Sequence, residues 1–219
     1  LPVSSGRLAL AVTAANPNNV YVLSAASNNS FQGIYLSTDN GANYTRLDDG
    51  SLDLFGGSTQ AWYDMALEVS DLNSNNIYIG VLDIYRSTNG GTSFSQWNSW
   101  SNPSGSTYTH ADIHMIREFN GDMYFGTDGG VYKLPSGSAQ TTDLTEGLAI
   151  GQFYRISVSP QTSDNIVGGL RDNGGYAYSN SSWKNFYGAD GMDTAIDPND
   201  SNKYYGFIQN GGSLYISND

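Results

Sequence analysis

Apolar and polar positions alternate along this chain in short runs, and the runs recur. Leu8, Leu10 and Val12 lead through Asn16-Pro17-Asn18-Asn19 to Val20-Tyr21-Val22. Met65, Leu67 and Val69 lead through Asp71 to Asn76 and on to Ile77-Tyr78-Ile79-Gly80. Ile113 and Met115 precede a turn at Asn120-Gly121 and then Met123-Tyr124-Phe125-Gly126. Ile156 and Val158 precede Pro160 to Asn165 and Ile166-Val167-Gly168, and Met192, Thr194 and Ile196 precede Pro198 to Asn202 and Tyr204-Tyr205-Gly206. Period-two alternation bounded by Asn, Asp, Pro and Gly predicts strands, and no helical periodicity persists beyond two turns. The pairs Val12/Val20, Val69/Ile77, Met115/Met123, Val158/Ile166 and Ile196/Tyr204 are each eight residues apart, so the five units superpose in register.

Each unit carries a third strand, at Ile34-Tyr35-Leu36, Ile84-Tyr85-Arg86, Val131-Tyr132-Lys133, Tyr176-Ala177-Tyr178 and Leu214-Tyr215-Ile216. A fourth, outer strand is expected near Tyr44–Leu47, Phe94–Trp97 and Trp183–Phe186. Successive units are offset by 57, 46, 43 and 38 residues, around the ~40–50 of one propeller blade. The fold class is therefore all-β, a β-propeller of about five four-stranded blades. The blade units are 6–52, 62–105, 108–148, 151–187 and 190–219.

Two polar turns after the third strand share a pattern: Ser37-x-Asp39-x-Gly41-x-x-Tyr44 and Ser87-x-Asn89-x-Gly91-x-x-Phe94. Asp or Asn bonds to backbone two residues on, Gly supplies positive φ, and the aromatic is expected to lie back on the sheet. Ser217-Asn218-Asp219 reads as the first half of another such turn. The last blade is thus expected to be truncated and the propeller to continue in a longer chain, whose remaining blades are its first partners. A five-bladed ring completed by Leu1 to Ser5 is the rival reading.

A net charge of −12, with nine Lys and Arg in 219 residues, argues against nucleic acid or an anionic membrane as partner. It leaves room for a divalent cation. There is no cysteine and so no disulfide or thiol chemistry. No apolar run is long enough for a membrane span. The Asn, Tyr and Gly content with little Lys resembles secreted surface proteins.

The face of the inner strands opposite the apolar set carries small residues such as Ala9, Ala11 and Ala66, which suit close packing against a neighbouring blade. Its charged members, Asp64, His110, Asp112, Arg155 and Asp193, are expected to ring one mouth of the central channel. His110-x-Asp112-x-His114 offers metal-ligand types on one side of a strand. At ~3.3 Å per residue the three cannot reach one ion. Either His110 and Asp112 hold a divalent cation with an Asp from another blade, or they fill the channel with hydrogen bonds. The turns containing Asp128, Asp172 and Asn210 are either ordinary hairpin turns or a rim that offers carboxylates and amides to a sugar or cation. Trp62, Tyr63, Phe153, Tyr154 and Tyr187 either stack on sugar rings or pack.

The two Ser-x-Asp/Asn-x-Gly turns resemble the Asp-box, or BNR repeat. The segments Thr109–His114, Phe125–Tyr132, Gly151–Pro160 and Gly168–Gly174 resemble the sortilin-like and endo-xyloglucanase-like propeller superfamily, as found in large secreted Bacteroidota surface proteins with type IX sorting domains. In hydrolases of that group the resemblance implies a carboxylate after the first blade's second strand. Here that stretch is Leu23-Ser24-Ala25-Ala26-Ser27-Asn28, without one. The arginine triad of sialidases has no match among Arg7, Arg46, Arg86, Arg117, Arg155 and Arg171. The expected function is a non-catalytic, extracellular or cell-surface propeller that binds a glycan or a surface or secretion-apparatus protein, or acts as a rigid module. The ligand residues would be Asp64, Asp112, Asp128, Arg155, Asp172 and Asp193. The alternative is a xyloglucan-type polysaccharide hydrolase whose catalytic acids lie partly outside these residues.

Overall fold

The structure is a computed structural model that describes residues 1–218, so the Asp219 end of the last turn lies outside the described residues. It contains two compact units, Leu1–Glu146 and Gly147–Asp219.

The first unit holds three four-stranded antiparallel sheets, each a simple meander. Strands β1 (Ser5–Val12), β2 (Val20–Ala26), β3 (Phe31–Ser37) and β4 (Thr45–Arg46) form the first. Strands β5 (Ala66–Val69), β6 (Ile77–Gly80), β7 (Ile84–Ser87) and β8 (Ser95–Gln96) form the second. Strands β9 (Ile113–Phe119), β10 (Asp122–Thr127), β11 (Gly130–Leu134) and β12 (Thr142–Asp143) form the third. In the second unit β13 (Phe153–Val158), β14 (Ile166–Leu170), β15 (Gly174–Ser179) and β16 (Ser182–Tyr187) make one meander. Strands β17 (Gly191–Asp197), β18 (Asp200–Ile208) and β19 (Leu214–Ser217) make a three-stranded one. Inside each unit successive sheets pack with their innermost strands together, β1 on β5, β5 on β9 and β13 on β17. That is blade-on-blade packing, and the fold is that of a β-propeller fragment.

The first core forms where Ala9, Ala11, Tyr21 and Leu23 of blade one meet Met65, Leu67 and Val69 of blade two. Alanine on the inner strand lets the two sheets approach, as their alternation suggested. The turns are joined too. Thr13 Oγ1 donates to the Ser70 carbonyl at 2.7 Å, and the Ala14 N–H to Asp71 Oδ1 at 2.7 Å. The second unit repeats the device: Ser157 Oγ donates to the Thr194 carbonyl at 2.6 Å and Asn165 Nδ2 to that of Ser201 at 2.7 Å.

The apolar face does not have one fate. Met65, Leu67 and Val69 are buried, but their counterparts Leu8, Leu10 and Val12 are exposed, as are Ile156 and Val158. In β9 the alternation itself breaks. Ile113 and Ile116 are buried and Met115 is exposed, because a register shift opposite Gly126 and Thr127 inserts one extra residue.

In the first polar turn Ser37 Oγ donates to Asp39 Oδ1 at 2.7 Å and accepts from the Gly41 N–H at 2.8 Å. Asp39 also accepts from the Asn43 side chain and N–H, which with Ser37 hold its carboxyl down at about 2. The second turn repeats this. Ser87 Oγ donates to Asn89 Oδ1 at 2.9 Å and accepts from the Gly91 N–H at 2.9 Å. Gly91 has φ 89°, and a Cβ there would come within 2.2 Å of the Leu47 side chain. Phe94 packs on the first core, and Tyr44 is half-buried. Ser87 is wholly buried, so Ser87→Ala should leave the Gly91 N–H unpaired and cost about 1–3 kcal/mol in a denaturant titration.

In the second unit the backbone closes on itself at Gly191. A Cβ there would fall 2.1 Å from the Gly174 carbonyl oxygen and 2.8 Å from the Gly169 Cα. Tyr187, one of the aromatics for which the sequence left stacking on a sugar or packing open, packs: it is 4% exposed. It stacks on Tyr215 at 4.9 Å and fills the space that Gly175 and Gly206 leave beside it.

Candidate ligand-binding site

The loop before β5 and the turn before β9 bring several of the expected polar residues together in the first unit. Tyr63 and Asp64 N–H groups both donate to the Gln60 carbonyl, at 2.8 and 3.2 Å, which coils residues 60–64 into a tight turn. Trp62 is thereby left outside at 67% exposure, while Asp64 points in at 0%. The Gln60 side-chain amide bridges two carboxylates, donating to Asp64 Oδ2 at 2.9 Å and to Asp112 Oδ1. A second arm centres on Asp128 in the β10–β11 turn. Its carboxylate accepts from the Tyr63 hydroxyl at 2.5 Å and pairs with His114 Nε2 at 2.6 Å. Carboxylate oxygens of Asp112 and Asp128 lie within 4.8 Å of each other.

The aromatic rings follow the same line. Trp62 lies 5.5 Å from Tyr63, and Tyr63 meets His114 edge-on at 4.8 Å. An exposed indole thus adjoins a row of half-buried acceptors and donors. Burial pushes the Asp64 carboxyl up to about 6, with the Asp112 charge adding to the effect and the Gln60 bond opposing it. Asp64 Oδ1 is buried without a hydrogen-bond partner among the described residues. Burial also raises Asp112, against the Gln60 bond.

The expected array on one side of a strand takes another form. Strand β9 starts at Ile113, and Asp112 has φ 63°, a left-handed residue that breaks the alternation before it can apply. His110 lies before the strand, with Nδ1 3.2 Å from the Ala111 carbonyl and its ring against Gly129. Asp64, though grouped with Asp112, presents no surface to a ligand. Gln60, which organises both carboxylates, had no signal in the sequence; it sits in a loop without periodicity or motif.

The remaining expected residues belong to the second unit. Arg155 Nε lies 3.6 Å from Asp193 Oδ1, and both side chains are largely exposed. Asp172 is left-handed, at φ 59°, with Oδ2 3.1 Å from Arg171 Nε, and its N–H donates to Asp190 Oδ1 at 2.7 Å. Phe153 and Tyr154 are partly exposed, and Phe153 lies 5.7 Å from the exposed Trp183 ring.

No protein-family model matches the chain, and no curated protein does. Among solved structures it is similar to the GH74 enzyme of Niastella koreensis, with 18% identity and TM-score 0.47 over 96% of this chain and 36% of that one. It is similar to the GH74 xyloglucanase of Xanthomonas campestris, with 14% identity and TM-score 0.48 over 96% and 36%. YCF48 bound to D1 peptide gives 16% identity and TM-score 0.46 over 99% and 64%. The chain thus spans about a third of the length of the two GH74 structures.

Proposed function

We propose that this chain is a non-catalytic, extracellular propeller module that binds a glycan at the Trp62–Tyr63–Asp128 surface. The observation that carries the reading is Trp62, a wide apolar ring held in solvent beside a row of polar groups. A pyranose has a C–H face that stacks on an indole and equatorial hydroxyls that bond at its edge. Asp112 and Asp128 would accept those bonds, and the His114 ring nitrogen that does not pair with Asp128 would donate one, while Gln60 spends both amide hydrogens on holding Asp64 and Asp112 in place. The buried Asp64 acts behind them, through Gln60. The low lysine content and acidic balance suit a protein outside the cell. The paired Ser-x-Asp/Asn-x-Gly turns support kinship with Asp-box propellers of secreted surface proteins.

Calorimetric titration with neutral oligosaccharides tests the reading. Trp62→Ala should weaken binding about tenfold or more, with the unfolding transition unchanged because the ring is exposed. Equal affinity in the variant would refute it.

A second reading, polysaccharide hydrolysis, has one observation in its favour: Asp112 and Asp128 sit within 4.8 Å and burial raises Asp112. Two carboxyls that close can divide the work of acid and nucleophile, and burial favours the protonated form of Asp112. New reducing ends from a β-glucan, lost in Asp112→Asn and Asp128→Asn, would favour it over binding alone.

A further inference from the structure

The second unit has an open cleft of about 340 Å³ that lies wholly within it. Its walls are Tyr154 and Arg155 of β13, Asp193 of β17, Phe207 of β18 and Asn210 in the turn after it. Tyr154 and Phe207 keep 38% and 42% of their surface in solvent although they belong to strands. Arg155 and Asp193 form a loose pair at 3.6 Å with 71% and 80% of their side chains exposed. Asn210 is left-handed at φ 60° in the tight turn Gln209–Gly211.

We propose that this cleft is a second binding site, for a neutral saccharide; it rests on the glycan-binding reading but uses none of the same residues. The chemistry of the walls narrows the ligand. An anion would meet the Asp193 carboxylate 3.6 Å from Arg155, on a chain of net charge −12. A metal cation would find one carboxylate, paired with an arginine. A purely apolar ligand would strip water from an ion pair and gain no hydrogen bond for it. A neutral polyol ring satisfies every wall. Its C–H face covers Tyr154 or Phe207, while its hydroxyls donate to Asp193 and accept from Arg155 and the Asn210 amide. The volume falls at the lower end of small-ligand clefts, ~300–1,000 Å³, and suits a short oligosaccharide segment.

The test uses the 219-residue chain and cellotetraose, xylotetraose and mannotetraose, followed by NMR. Backbone and side-chain resonances of Tyr154, Arg155, Phe207 and Asn210 should shift with one of these sugars. Phe207→Ala should weaken that dissociation constant about tenfold, and Asp193→Ala should do the same without removing an aromatic ring. Trp62→Ala should leave these shifts in place. If the only shifts lie around Trp62, this proposal falls and the first reading stands. If none of the sugars binds anywhere, both fall. Shifts at this cleft with a galacturonic acid oligomer and with no neutral sugar would overturn the neutral-ligand assignment.

Discussion

Leu67→Ala should lower the unfolding free energy of the first unit by about 2–5 kcal/mol, whereas Leu10→Ala should change it by less than about 0.5 kcal/mol. The two leucines stand at equivalent register positions of neighbouring repeats, and sequence treats them alike. Leu67 is 3% exposed and packs between blades one and two. Its truncation removes buried methyl groups and leaves a cavity that the sheets cannot close. Leu10 is 63% exposed on the opposite side of blade one, so alanine there loses little contact. Urea titrations of both variants would decide. Similar losses at the two positions would mean that Leu10 is covered and that the first blade packs differently.

Asp64 gives the second large effect. Its folded carboxyl is raised to about 6 by burial, above a carboxylate's ordinary 3.8. For a raised acid, the native state holds the proton more tightly than the unfolded chain does. Its contribution is therefore full below about pH 4 and is lost as pH rises through about 6. About two pH units correspond to roughly 3 kcal/mol. Wild-type stability should fall by that order between pH 4 and pH 7 relative to Asp64→Asn, which cannot ionise. Asp112, Gln60 and His114 face the group, and Asp112 and Glu68 are raised with it, so some slope persists in the variant. The difference between the two profiles is the quantity to read, from urea unfolding at intervals across that range. Parallel profiles would place Asp64 in water.

The repeat was legible because each inner strand alternates and each turn is marked by Asn, Asp, Pro or Gly. The eight-residue register from Val69 to Ile77 is a β-hairpin in the structure, with those two residues paired. Two features escaped. The outer strand Thr142–Asp143 has no apolar residue to announce it, since both its side chains are exposed. The break in β9 depends on one left-handed aspartate, Asp112, and a bulge opposite Gly126, and neither changes the pattern of residue types. For the site, residue types pointed to Asp112, Asp128 and the exposed Trp62 but could not say which were linked. Gln60 reaches Asp112 across 52 positions and Tyr63 reaches Asp128 across 65, contacts that arise only when neighbouring blades pack. Burial of Asp64 was equally hidden, because a carboxylate beside two aromatics reads as surface chemistry until the loop is coiled.

The most direct test of glycan recognition is to follow the indole N–H resonances of the four tryptophans during titration with a neutral oligosaccharide. The Trp62 signal should move and saturate with the ligand while that of Trp97, packed against the core, stays still. A Trp62 signal that stays in place while the sugar demonstrably binds would contradict the account.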